Sequence, residues 1–198
     1  MTVIDNGIFN LIINHDTACM DFNPGGTRYP QELITSSFER ECRYLQRLRN
    51  YNWCPEVISC DYINRKIHFN WYHNTCERKL SANWKEQLEI IVRDLAEQQI
   101  YKPSFYPKFF YIDNKDNMRA YAFYSASDQS EQPINIEFYR PILNPDRAIL
   151  VEQLAIDGKL DMGVLQWHAF NTYIEWPEDI LPIIYKKYFN LSYFDKKK

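Results

Sequence analysis

The sequence predicts an α+β fold, and three observations carry that prediction. The first third reads as short apolar strands broken by turn residues. Two segments, 38–48 and 84–95, repeat apolar residues at helical spacing. Between them, 66–72 alternates Ile67, Phe69 and Trp71 against polar neighbours, the signature of a half-buried strand. At 198 residues the chain is long enough to bury a core without disulfides or a metal.

The elements follow in order. Residues 7–13 and 17–22 are two apolar stretches, and Asn23-Pro24-Gly25-Gly26 is a turn. Ser36-Ser37-Phe38-Glu39 is a capping box, with Ser36 as N-cap, and opens a helix. Phe38, Cys42, Leu45 and Leu48 form its buried stripe. Arg40, Arg43, Arg47 and Arg49, salted with Glu39 and Glu41, read as its solvated face. Residues 55–62 and 66–72 make a hairpin around Asn64-Arg65. Asn83 caps the second helix, with Glu86 three positions on. Trp84, Leu88, Ile91, Val92 and Leu95 line that helix, which should end near Gln98 or Gln99.

Residues 100–109 read as a loop punctuated by Pro103 and Pro107. Phe110-Tyr111-Ile112 and 118–123 are strands around a polar turn at 113–117, and 125–132 is polar and flexible. Asn144-Pro145-Asp146 begins a helix that Gly158 stops. Asp161 caps another to about Tyr173. Pro177-Glu178-Asp179 opens the last helix, carrying Ile180, Ile183, Ile184 and Tyr188, and the Lys196-Lys197-Lys198 tail should fray. The order is strands, one helix, a hairpin, then a mostly helical half. It implies an N-terminal lobe over 1–75 and a C-terminal lobe over 76–198 within one structural domain.

Charge and composition exclude several functions. With 23 Lys and Arg against 26 Asp and Glu, the net charge is −3, so the chain lacks the basic surface of a general nucleic-acid binder. No run approaches the apolar length of a membrane span, and no membrane role is expected. The N-terminal stretch 1–9 carries Asp5 and no Lys or Arg, unlike a secretory signal, so a cytoplasmic location is expected. Abundant Asn, Ile, Tyr and Lys point towards an AT-rich microbe or phage, in which case the location would be the host cytoplasm. Cys19, Cys42, Cys54, Cys60 and Cys76 lack zinc-type spacing and read as structural free thiols. His15, His68, His73 and His168 lack metal spacing too.

The order of elements resembles the protein-kinase fold, and short stretches reinforce the resemblance. Phe38-Glu39-Arg40-Glu41-Cys42-Arg43-Tyr44-Leu45 looks like helix C of the bacterial lipopolysaccharide-kinase-like proteins, and it puts Glu41 where that family's ion-pairing Glu stands. Cys54-Pro55-Glu56-Val57-Ile58 resembles the entry to the family's fourth strand. The longest match runs over 94–126, where the helix, loop and hairpin agree in length with the family's catalytic loop and metal-binding strand. The resemblance implies a minimal two-lobed kinase-like fold. Its small N-terminal antiparallel sheet with one helix would be followed by a reduced, mostly helical C-terminal lobe.

The same alignment implies that the residues of phosphoryl transfer are missing. That chemistry needs a base for the acceptor hydroxyl, two metal ligands and a Lys on the nucleotide phosphates. By the match the base position is Ser104, the metal-binding Asn is Phe109, and the metal-binding Asp is Ala122. Phe and Ala offer Mg²⁺ no oxygen. The third-strand segment Ala18-Cys19-Met20-Asp21 has no Lys, the first Lys being Lys66, and Arg28 is the nearest substitute partner for Glu41. Only Gly7 precedes the second strand, so no phosphate-cradling glycine loop is encoded. Arg93-Asp94-Leu95 mimics a kinase catalytic triplet, but it sits inside a helical pattern, where an exposed Asp is routine.

Three readings follow. The first is a catalytically inactive, kinase-like (pseudokinase) binding or regulatory protein that uses no cofactor, binds no metal, does not take Mg·ATP in the usual way, and acts on an unidentified protein partner. The second is a phosphotransferase or nucleotidyl-transferase with rebuilt metal ligands drawn from Glu41, Asp21 or Asp128. The third is an interaction protein whose kinase resemblance is accidental. Tyr101, Tyr106, Tyr111, Tyr121 and Tyr124 read as packing residues, an exposed subset of which would suit a protein interface.

Overall fold

A computed structural model describes residues 1–23, 25, 29–72, 74–76, 79–102, 105–128, 156, 176–178 and 180–189. The chain divides into two compact units, Met1–Ala82 with Lys108–Tyr124, and Asn83–Pro107 with Ser125–Lys198. It is α+β.

The first unit is built on a five-stranded antiparallel sheet. Its strands are β1 (Thr2–Asp5), β2 (Asn10–Asn14), β3 (Thr17–Asp21), β4 (Val57–Asp61) and β5 (Lys66–Asn70), in the order β1-β2-β3-β5-β4. β1 is an addition to the strands read from the sequence. Its register, Thr2↔Ile13 to Asp5↔Asn10, makes it the partner of β2 and one edge of the sheet. Register explains the core face. Leu11↔Met20 and Met20↔Ile67 put three buried apolar side chains in one row, and Ala18↔Phe69 adds a parallel row. Asp61 fixes the β4–β5 turn by accepting the Ile63 and Asn64 N–H groups, both at 3.0 Å.

Helix α1 (Gln31–Leu48) buries the predicted stripe of Phe38, Cys42, Leu45 and Leu48. It begins six residues earlier than the capping box implies. Pro30, with φ −57°, is its N-cap residue, and the Pro30 carbonyl accepts from Leu33 and Ile34. The extra turn buries Ile34, while Ser36 sits inside the helix and its hydroxyl donates to the Leu33 carbonyl at 3.1 Å. A second, three-stranded sheet joins β6 (Asn74–Thr75), β8 (Phe110–Ile112) and β9 (Met118–Ala120) in the order β6-β8-β9.

The second unit contains α2 (Trp84–Glu97), the two-residue strands β7 (Ile100–Tyr101) and β10 (Ser127–Asp128), and α3 (Leu181–Phe189). Asn83 stands at the start of α2 without capping it through its side chain; its Oδ1 accepts from Gln87 Nε2 at 2.7 Å instead. Gln99, with φ +54°, turns the chain out of the helix. Residues 127–128, expected to be flexible, pair with β7 as Ser127↔Tyr101 and Asp128↔Ile100. Asp94 is buried and carries a 2.9 Å ion pair from Arg93, so it is neither in a loop nor the exposed helix residue expected. Trp84 stacks on Trp176 at 5.4 Å, and Glu89 holds α3 through Lys187 (2.5 Å) and the Tyr188 hydroxyl (2.7 Å). α3 begins at Leu181, later than Pro177 suggests, and buries Ile184 while exposing Ile183. The helices expected from Asn144 and Asp161, and the Lys196–198 tail, lie outside the described residues.

Candidate functional site

Glu41 projects from α1 into the interior and is 0 % exposed. Its Oε1 accepts the Ala122 backbone N–H at 3.0 Å. Ala122 follows β9 with φ +65°, a left-handed conformation that a residue with a Cβ adopts only at a cost in strain. The helix position that the resemblance assigns to an ion-pairing Glu thus touches the position it assigns to a metal-binding Asp. Phe109 adjoins them through the same segment: its carbonyl accepts the Tyr121 N–H at 3.0 Å. Ser104 and Arg28 lie outside the described residues.

The surroundings of this contact are aromatic. Gly7, with φ +79°, turns the β1–β2 connection, and Asp5 Oδ1 accepts its N–H at 2.7 Å. The turn drives Ile8 and Phe9 inward, and both are buried. Phe9 then meets Phe22 at 5.3 Å, Tyr124 at 5.7 Å and Phe109 at 6.4 Å between ring centroids. Phe109 closes the group edge-on against Tyr121 and Tyr124. The inward residues of β3 are Ala18 and Met20, neither of them cationic. Asp21 alternates to the opposite face and pairs with Lys66 at 3.2 Å. Among the described residues, no group of three or more His, Cys, Asp and Glu is placed to hold a metal ion.

A polar knot stands at the other end of the same segment. Asp113 caps the β8–β9 turn, its Oδ1 accepting the Lys115 and Asn117 N–H groups at 2.8 and 2.9 Å. Its Oδ2 takes both Nε and Nη2 of Arg119, at 3.0 and 2.8 Å. Arg119 Nη1 continues to the Cys54 carbonyl at 2.9 Å, and Glu56 lies 3.5 Å from Nη2. Burial pushes the Asp113 carboxyl up, but the Asn117 and Lys115 amides and the guanidinium outweigh it, holding it below the usual carboxylate range. The sequence marks this stretch only as a polar turn, since Cys54 and Arg119 are distant along the chain.

Beside the knot lies a cavity of about 690 Å³, lined by the C-terminal half of α1, residues 49–52 and 54–56, β4, Tyr62, Lys115 and Arg119. Three of the five cysteines line it: Cys42, Cys54 and Cys60. The Cys54 thiol faces the Leu45 carbonyl at 3.7 Å, and burial, aided by Glu41, pushes it up to about 12. Cys42 on α1 and Cys60 on β4 act on each other's titration. The Cys42 thiol is raised, first by its interaction with Cys60 and then by burial, while the same interaction lowers Cys60 to about 7. All five cysteines are free thiols, as the sequence suggests.

No protein-family model matches the chain, and neither does any curated protein. Among solved structures it is similar to WbdD in complex with the kinase inhibitor LY294002, at 12 % identity and a TM-score of 0.48, over 87 % of this chain and 45 % of that one. A second WbdD crystal structure gives 13 % identity and a TM-score of 0.49, over 87 % of this chain and 45 % of that one. The structure described as the bifunctional kinase-methyltransferase WbdD gives 12 % and 0.46, over 92 % of this chain and 47 % of that one. The chain spans less than half the length of these structures.

Proposed function

We propose that the chain is a non-catalytic, kinase-like binding or regulatory module that does not take Mg·ATP in the usual way. One observation carries the reading. The position matched to the metal-binding Asp is Ala122, and its N–H is already engaged by the Glu41 carboxylate at 3.0 Å. Phosphoryl transfer needs oxygen ligands on Mg²⁺ and a cation on the phosphates. Around the Glu41–Ala122 contact stands the aromatic group of Phe9, Phe109 and Tyr124, with Ala18 and Met20 facing inward on β3. A protein partner is supported by the second sheet edge, β4, where Val57 and Ile58 are exposed, followed by Tyr62 and by Ile63 at 92 %.

The test is thermal unfolding with ATP, ADP and GTP, each with and without Mg²⁺ or Mn²⁺. A ligand at 100 times its Kd stabilises by about 2.7 kcal/mol, which for a chain of this size raises Tm by roughly 5–11 °C. The expected result is no shift with any nucleotide at millimolar concentration. A metal-dependent rise of several degrees would overturn the reading in favour of a rebuilt nucleotide site.

A further inference from the structure

Cys42 of α1 and Cys60 of β4, 18 positions apart in sequence, line the same open cavity. Their exposures differ. Cys42 is buried, whereas Cys60 is partly exposed on the edge strand. The asymmetry suits a two-step thiol–disulfide exchange, in which the accessible sulfur forms the mixed disulfide and the sheltered one resolves it. The cavity is cationic on balance, with Arg49, Lys115 and Arg119 in its lining against Glu56. Arg119 is committed to Asp113, and Arg49 and Lys115 are exposed cations of the lining.

We propose that this cavity is a thiol–disulfide exchange site that accepts a small anionic disulfide of the oxidised-glutathione class, with Cys60 as attacking sulfur and Cys42 as resolving sulfur. In the first step the Cys60 thiolate attacks one sulfur of the small disulfide. A Cys60 mixed disulfide forms, the small molecule's S–S bond breaks, and one thiolate leaves. In the second step Cys42 gives up its proton to the departed thiolate and attacks the Cys60 sulfur. The Cys42–Cys60 bond forms, the mixed disulfide breaks, and a second small thiolate leaves to take a proton from solvent. Two protein thiols are oxidised by two electrons, and one small disulfide is reduced to two thiols. The proposal is independent of the nucleotide question, because no residue matched to a catalytic kinase position takes part.

The experiment uses the full chain with oxidised glutathione at neutral pH, read by intact mass and peptide mapping. The wild-type chain should lose two hydrogens and yield a Cys42–Cys60 crosslinked peptide. Cys42→Ser should instead stop at one glutathionyl adduct, mapped to Cys60, and Cys60→Ser should form neither product in the same time. A neutral disulfide, hydroxyethyl disulfide, and a cationic one, cystamine, compare the charge preference. The anionic reagent should react roughly threefold or more faster than cystamine, with the gap closing at high salt. Modification spread evenly over Cys19 and Cys60, or wild-type chain left fully reduced while its urea-unfolded form reacts, would overturn the proposal. A faster reaction with cystamine would overturn the anionic assignment. Peptide mapping of the wild-type chain alone decides the crosslink, so a variant that fails to fold does not remove the test.

Discussion

The Glu41 carboxylate accepts the Ala122 N–H at 3.0 Å, and both residues are fully buried. The bond ties the middle of α1 to the backbone just beyond β9, within one compact unit. An acceptor removed from such a site leaves a buried donor unsatisfied, at a cost of about 1–3 kcal/mol. Glu41→Ala should therefore lower the unfolding free energy by that amount, read as a lower urea midpoint at an unchanged m-value. Glu41→Gln keeps an acceptor oxygen and should lose less. Equal losses for the two would mean that the cavity left by the side chain, not the hydrogen bond, is what matters.

Ala122 gives a second prediction of opposite sign. Its φ of +65° strains any residue with a Cβ. Glycine has no such penalty there, although it adds entropy to the unfolded chain. Ala122→Gly should come out stabilising by about 0.5–1 kcal/mol, read as a higher Tm. A loss of stability would mean that the methyl group's packing in this fully buried site outweighs the strain.

Local patterns made much of this fold readable in advance. The alternation of Ile67 and Phe69 fixes the buried face of β5, and the spacing of Phe38, Cys42, Leu45 and Leu48 fixes the buried stripe of α1. What failed was local too. Ser36-Ser37-Phe38-Glu39 has the composition of a helix start, but Pro30 already supplies one, and burial of Ile34 extends the helix back to it. Glu41 belongs by composition to a charged surface, yet it is fully buried, because its partner is a backbone amide 81 residues away. The pairings of β7 with β10 and of Arg119 with the Cys54 carbonyl join distant stretches that no short-range spacing signals.

Phe9 is the centre of the aromatic group and is fully buried. Phe9→Ala removes a ring from a site packed on three sides, and such truncations cost about 3–5 kcal/mol. Chemical denaturation should show that loss. A loss under 1 kcal/mol would mean that the β1–β2 turn collapses into the gap and that the ring is not what fills this region.

Asp113 and Arg119 set an acid limit on stability. The Asp113 side chain is 1 % exposed and that of Arg119 is 12 %, so the pair is well shielded from solvent. Removing one member of a buried pair costs about 3–5 kcal/mol, and Asp113→Asn should approach that figure near neutral pH. The carboxyl is held below its ordinary value of 3.8 in the folded chain. Its contribution is therefore fully present above that value and is lost as pH falls through the lower, folded one. The difference in unfolding free energy between wild type and Asp113→Asn should be constant from pH 7 to about 5 and should narrow below about 4. A gap unchanged at low pH would mean that shape, not charge, holds the turn.

The thiol pair yields a pH profile that discriminates between two causes. Alkylation by iodoacetamide proceeds through the thiolate, so the Cys60 rate should rise with pH through its own titration, with a midpoint of about 7. The chief cause of that low value is the hydrogen bond from Cys42, opposed by burial. Cys42→Ala removes the donor but leaves the burial, and the midpoint should move up, to or above the ordinary thiol value of 9.0. Cys42→Ser retains a donor and should fall between the two. The charged groups facing the site, Arg49, Glu56, Lys115 and Arg119 in the cavity lining and Glu41, which acts on Cys42, are unchanged in all three chains, so their influence cancels in the comparison. If the Cys60 midpoint stays near 7 in Cys42→Ala, the nearby cations set it and the Cys42 bond does not; raising the salt concentration would then shift it upward.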